Sequence, residues 1–308
     1  MAATALSRPR RKYRGLLWRE NLDGWLMVTP WVLGFVIFTA GPMVASLVIS
    51  FLWWDVLTPA RWVALENFSA MARDPLFIKS LSNTAFYTFL GVPLYLVASL
   101  AMALILNLDL RGIAVYRTVY FLPSLTPAVA NALLWVWIFS PDFGLANFAL
   151  RLLGLPPQRW LFDVNLARPS LILMGFWGIG GTMIIFLAGL QGIDQQLYES
   201  ASIDGANGWR RFIHITLPML SPTIFFNLVI GIIGSFQVFT TAFIATAGGP
   251  QNATLFYVLY LYRNGFEYFK MGYASAMAWV LFLVILALTL VQFRLARRLV
   301  FYEAEGRA

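Results

Sequence analysis

The sequence predicts an all-α membrane protein with six transmembrane helices and both termini cytoplasmic. Composition gives the class: 60% of the 308 residues are hydrophobic and 12% are charged, against about 45–50% and about 25% in soluble domains. Charge segregation gives the count. Six windows hold no Asp, Glu, Lys or Arg: Trp25–Leu52, Thr84–Leu106, Thr118–Ser140, Ser170–Leu190, Met219–Ile244 and Met271–Phe293. Each is long enough to cross the hydrocarbon core, which takes about 20 apolar residues. A charge at the centre of a spanning helix costs roughly 2.5–3.5 kcal/mol on insertion scales, so the spans end where charges resume.

An even number of spans returns the chain to its starting side, and the basic residues choose that side. Arg8, Arg10, Arg11, Lys12, Arg14 and Arg19 precede the first window, Arg111 and Arg117 follow the second, Arg210 and Arg211 the fourth, and Arg294, Arg297, Arg298 and Arg307 the sixth. The opposite face holds fewer: Arg61, Arg73, Lys79, Arg151, Arg159, Arg168, Arg263 and Lys270. The richer face is cytoplasmic by the positive-inside bias. The net charge of +8 is therefore mainly an orientation signal, and no nucleic-acid partner is expected. The first window is too long for a signal-peptide core and lacks a small-residue cleavage site, so it is expected to remain as a helix.

The expected organisation is a basic cytoplasmic segment at 1–23, one membrane domain at 24–298 and a cytoplasmic tail at 299–308. The outside segments are about 53–81, 141–169 and 245–270, and the cytoplasmic ones about 107–117 and 191–218. Two apolar pieces of the outside segments, Phe143–Leu155 and Thr254–Tyr262, are too short to span and are expected to lie along the interface or cap the bundle. Trp53, Trp54, Trp62, Trp160, Tyr260 and Tyr262 fall near span ends, where amphipathic rings favour the headgroup layer. Pro30, Gly41-Pro42, Pro93, Pro123, Pro127 and Pro222 each tend to kink a helix.

Much chemistry is missing. The chain has no Cys, one His (His214) and no acidic residue in any window, which leaves no thiol nucleophile, no expected metal site and no intramembrane carboxylate relay. No Lys follows a Gly, so the Walker A pair that cradles nucleotide phosphates is missing, and any energy from ATP must come from another chain. An enzymatic role is not expected. A self-sufficient membrane enzyme and a lone ion-coupled carrier are the competing classes.

The segment 191–218 is the most informative. Asp194 can cap a helix containing Leu197–Ser202, Gly205 and Gly208 relax the backbone, and Trp209, Phe212, Ile213 and Leu217 then carry helical apolar spacing into the fifth span. Small residues at Ala201 and Ala206 with acceptors at Glu199 and Asp204 suit insertion into a groove on a partner. The pattern Glu199-Ser-Ala-x-x-Asp204-Gly205-Ala206, followed by Phe212, Ile215, Leu217-Pro218 and Pro222, resembles the EAA loop of permease subunits of ATP-binding-cassette importers. Its Asp-Gly-Ala form is similar to that of the carbohydrate-uptake group, the maltose and glycerol-3-phosphate type. Ser200 departs from the commoner Ala but is small enough for docking. Glu66-Asn67-Phe68 with Asn83-Thr84, Tyr116-Arg117 with Phe121-Leu122-Pro123, Gly189-Leu190 with Tyr198, and Thr246-Ala-Gly248-Gly249-Pro250 resemble further landmarks of that group, in order over nearly the whole chain.

The resemblance implies a type I importer permease fold in a multi-pass cell inner membrane protein. It implies a second, homologous permease subunit, two ATP-binding subunits that carry the ATP and Mg, and an extracellular solute-binding protein, with no cofactor on this chain. Glu199 would make the charged contact with the ATPase, while Ser200, Ala201, Asp204, Gly205 and Ala206 shape the docking helix and turn. The cargo would be a carbohydrate, or alternatively a glycerol phosphate or its diesters.

Charge-free spans must recognise a solute through neutral polar groups and rings. Gly231 and Ser235 share one face of the fifth span with Gly234 and Val238; Gln237 lies beside it, and Asn227 is a further polar group. Trp177, Gly178 and Thr182 form a candidate face in the fourth span. For each polar residue an interhelical hydrogen bond is the competing reading, and for Trp177 it is packing.

Overall fold

Residues 11–109 and 111–301 are described by a computed structural model of the chain. Arg8, Arg10 and Arg307 of the predicted cytoplasmic set lie outside these residues. The first span comprises α1 (Arg11–Phe35) and α2 (Gly41–Ile49), joined by a π turn at Val36–Ala40. There the Gly41 N–H reaches back to the Val36 carbonyl, one residue further than in an α-helix, beside Pro42, which has no N–H to give. A hairpin follows, β1 (Leu52–Trp53) antiparallel to β2 (Arg61–Trp62), and then α3 (Glu66–Arg73). Next comes α4 (Pro75–Leu106), which opens on Pro75 and is capped by the Asp74 carboxylate at 2.9 Å from the Leu76 N–H.

The third predicted span is two helices. α5 (Ile113–Phe121) with its 3-10 extension Leu122–Leu125 meets α6 (Ala128–Ile138) at 97°. The cause is Pro127: its ring disfavours helical geometry in the residue before it, and Thr126 is extended at φ −68° and ψ 128°. After α7 (Leu145–Leu152), the fourth predicted span is likewise broken. α8 (Ala167–Gly175) and its 3-10 turn Phe176–Gly178 meet α9 (Gly180–Gln191) at 51°. The chain continues with α10 (Gln195–Ile203), α11 (Gly208–Arg211), a π turn at Phe212–Thr216, α12 (Leu217–Phe236), α13 (Thr240–Ala245), α14 (Tyr257–Tyr262) and α15 (Met271–Leu299).

Four helical runs are long and apolar enough to cross a membrane: Glu20–Ile49, Pro75–Leu106, Gly208–Phe236 and Met271–Arg297. The two bent pairs raise the number of candidate spans to six. α4 is the axis of the packing. Its last turns, through Ala103 and Leu106, join Met183, Phe186, Leu187 and Leu190 of α9 and Leu220 of α12 in one apolar cluster. Its first half packs on a larger cluster that includes Phe256, Tyr257, Leu259 and Met277.

The piece Thr254–Tyr262, expected at the interface or as a cap, lies within that core, where Phe256, Tyr257 and Leu259 are fully buried. Asn83 and Thr84 hold it there. Asn83 Nδ2 donates to the Asn252 and Leu255 carbonyls at 2.9 and 3.0 Å, and the Tyr257 N–H donates to Thr84 Oγ1 at 2.9 Å. Tyr260 is correspondingly buried instead of lying at headgroup level, its hydroxyl bonded to Asp74. By contrast, no residue in the apolar window of Glu20–Ile49 is fully buried by its own chain, although α2 meets α15, where Trp279 Nε1 donates to Ser46 Oγ at 3.2 Å.

Candidate functional site

The segment between α9 and α12 is built by local hydrogen bonds. Asp194 caps α10 by accepting the Gln196 N–H at 2.9 Å, and Asn207 caps α11 by accepting the Arg210 N–H at 2.9 Å. Between them the Ala206 N–H donates to the Ala201 carbonyl (2.8 Å) and the Gly205 N–H to the Ser202 carbonyl (3.1 Å), the paired bonds of a Schellman helix end. Gly205 sits at φ +78°, in the left-handed region where a Cβ is unfavourable. The Asp204-Gly205-Ala206 sequence is thus the chemistry of a sharp helix stop.

This loop is fastened to α12. Tyr198 Oη lies 3.0 Å from Thr216 Oγ1, and Arg211 Nη1 donates to Ser202 Oγ at 3.0 Å. His214 Nδ1 lies 2.9 Å from the Arg210 carbonyl, a local role within the same turn. The π turn at Phe212–Thr216 ends two residues before Pro218, repeating the arrangement before Pro42, and it breaks the even apolar spacing expected from Trp209 to Leu217. Glu199, Ser200, Asp204 and Gly205 are exposed, and Ala201 and Ala206 half-buried. Ile203 is 88% exposed and Trp209 68%. The loop therefore presents a carboxylate beside apolar side chains on a helix held rigidly at both ends.

A second feature lies in the middle of the bundle. A cavity of about 350 Å³ is walled by Tyr87, Val92, Tyr95 and Leu96 of α4, Gly175 and Thr182 of α8 and α9, and Asn227, Ile230, Gly231, Gly234 and Ser235 of α12, with Val238 beyond. No charged side chain lines it. Of the seven predicted substrate residues, Thr182, Asn227, Gly231 and Ser235 meet here. Gly231 permits the approach of α4, because a Cβ there would stand 2.9 Å from Val92 Cγ1. Ser235 Oγ is buried, 2.9 Å from Thr88 Oγ1 and 3.0 Å from the Ile232 carbonyl, so its hydroxyl joins α12 to α4. Asn227 Nδ2 donates to the Thr223 carbonyl at 2.8 Å.

Trp177, Gly178 and Gln237 lie off this wall. Trp177 meets Trp135 edge-to-face at 6.0 Å, Gly178 is exposed in the 3-10 turn, and Gln237 is exposed past the end of α12. Trp177 and Thr182 lie on either side of the 51° break between α8 and α9, and at a spacing of five residues they do not share a helix face. Sequence reasoning missed the contribution of α4. Its signal was a stripe of polar and small residues at three- and four-residue spacing, Thr84, Tyr87, Gly91 and Tyr95, inside a charge-free window. Tyr95 spans the gap to α8 by donating to the Ile172 carbonyl at 2.8 Å.

Comparison with known proteins agrees with this architecture. Over 92% of this chain and 97% of the other, the fold is similar, at a TM-score of 0.81 and 26% identity, to a chain in the crystal structure of a bacterial alginate ABC transporter in complex with an alginate pentasaccharide-bound periplasmic protein. The sequence is 43% identical, over 93% of this chain and 94% of the other, to the probable ABC transporter permease protein YesP of Bacillus subtilis strain 168. It is 33% identical, over 92% and 91%, to the arabinooligosaccharides transport system permease protein AraP of the same organism. Residues 95–301 match the family model of the binding-protein-dependent transport system inner membrane component. The chain, with its helical bundle, tethered loop and uncharged cavity, belongs to that family of transporter permeases.

Proposed function

We propose that the chain is one of two membrane-spanning subunits of an ATP-driven importer and passes a neutral sugar or oligosaccharide delivered by an extracellular solute-binding protein. Each bent helix pair is one span, which makes six, and both termini are cytoplasmic, as the distribution of Arg and Lys favours. Glu199 makes the charged contact with an ATP-binding subunit, and Ser200, Ala201, Asp204, Gly205 and Ala206 shape the inserted helix and its stop. ATP and Mg belong to two such subunits. The unburied first span supports a second permease as neighbour, beside lipid.

The observation that carries the reading is the contact between Tyr198 and Thr216. It ties the exposed helix α10 to the start of α12, whose far half lines the uncharged cavity. Displacement of α10 by a moving partner is thereby delivered to the cavity wall, which is what alternating access requires. The uncharged walls favour a neutral cargo, since an anion buried there would lack a counter-charge. The named cargo of AraP and the pentasaccharide in the alginate structure support the carbohydrate class.

The test is purification in mild detergent followed by reconstitution into vesicles with the solute-binding protein. Co-purification with a second permease and two ATP-binding subunits, and sugar uptake that requires ATP, are the expected results. Uptake by the chain alone, driven by an ion gradient without ATP, would refute the proposal.

A further inference from the structure

A second cavity lies away from the one between α4, α9 and α12. It encloses about 560 Å³ and opens between the hairpin, α3 and the junction of α14 with α15. That size falls within the roughly 300–1,000 Å³ usual for small-ligand sites. α4 fixes its position. The capping residue Asp74 at the start of α4 lines this cavity, while Leu106 at the other end packs against Leu190 and Leu220 beside the α10–α11 loop. A helix of 32 residues separates these two ends by about 48 Å.

The lining has two parts. Trp53, Tyr268 and Phe269 each stand about half exposed, offering ring faces at the opening. Asp55, Glu66 and Lys270 set charges of both signs around them, and none of the three is in an ion pair among the described residues. Three carboxylates, Asp55, Glu66 and Asp74, against one ammonium, Lys270, disfavour an anion and leave both an acceptor and a donor at the rim. A neutral polyhydroxylated ligand fits both, because a hydroxyl donates to a carboxylate and accepts from an ammonium while the C–H face of a sugar ring lies on an aromatic face. Asp74 is already committed. Its carboxylate accepts the hydroxyls of Tyr260 (2.5 Å) and Tyr273 (2.8 Å), so it fixes the floor and leaves the rim to contact a ligand.

We infer that this cavity is a second saccharide-binding site, separate from the translocation cavity, holding a neutral oligosaccharide at the outer mouth of the protein. Its place on the outer face rests on the orientation proposed above; its ligand class rests on its own lining. The assembled transporter, in lipid nanodiscs and without the solute-binding protein, is titrated with maltotriose, lactose and arabinotriose, and binding is read by saturation-transfer NMR. At least one of these sugars binds. Trp53→Ala and Glu66→Gln each weaken that binding by about tenfold. No binding of any of the three, binding undiminished in both rim variants, or binding seen only when the solute-binding protein is added would overturn the inference. ATP-driven uptake of the same sugars, measured in parallel, separates the two conclusions: binding without uptake leaves this site standing and removes the importer function, and uptake without binding does the reverse.

Discussion

Gly205 and Asp74 show how single positions carry the account. Any side chain with a Cβ at Gly205 must adopt φ near +78°, at a cost of roughly 1–2 kcal/mol. Gly205→Val is therefore expected to fray the end of α10 and weaken capture of the ATP-binding subunits, measured as their yield on co-purification, while the permease itself stays in the membrane. At Asp74 burial alone would raise the carboxyl, but the hydroxyls of Tyr260 and Tyr273 and the Leu76 N–H outweigh it and hold the group below its ordinary 3.8. Because the folded-state value is the lower one, this clamp contributes fully above about pH 4 and is lost as the pH falls through the folded-state value. Thermal unfolding of the detergent-solubilised protein should lose stability only on the acid side of that point. Asp74→Asn should lower stability at neutral pH and remove that acid-side step.

Among the elements, α10 and α12 act as a unit only if the contact between Tyr198 and Thr216 transmits force. Removing it with Tyr198→Phe costs roughly 0.5–1.5 kcal/mol, so the fold survives. The expected outcome is a lower ratio of sugar transported to ATP hydrolysed, and an unchanged ratio would place the transmission elsewhere. The sequence revealed α10 almost to the residue, because Asp194 and Gly205 are local signals that act through their own backbone. It marked Pro127 as a kink but did not reveal that the bend reaches 97°, or that α4 and α12 run on through Pro93 and Pro222, since a charge-free window reports apolarity and not direction. The wall supplied by α4 was hidden for a related reason: Tyr87 and Tyr95 read as ordinary apolar-span residues until α8 and α12 are packed against them. The burial of Phe256 and Tyr257 likewise depends on Asn83 and Thr84, more than 160 residues away in sequence.

For the whole molecule, the claims are an orientation and a coupling. The chain has no Cys, so single cysteines introduced at Arg159 and at Arg210 report sidedness without background. Membrane-impermeant reagent added outside intact cells should label the first and spare the second. Labelling in the opposite sense would invert the topology and place the α10–α11 loop where no ATP-binding subunit could reach it. The coupling rests on Glu199, exposed on α10 one turn from the exposed Ile203. Removing one partner of an interfacial charge pair costs roughly 2–5 kcal/mol. The most direct measurement is therefore ATP-dependent sugar uptake by vesicles carrying the complete complex with Glu199→Ala, alongside its ATP hydrolysis. The account predicts a complex that remains in the membrane and no longer converts hydrolysis into uptake; uptake at the wild-type rate would contradict it.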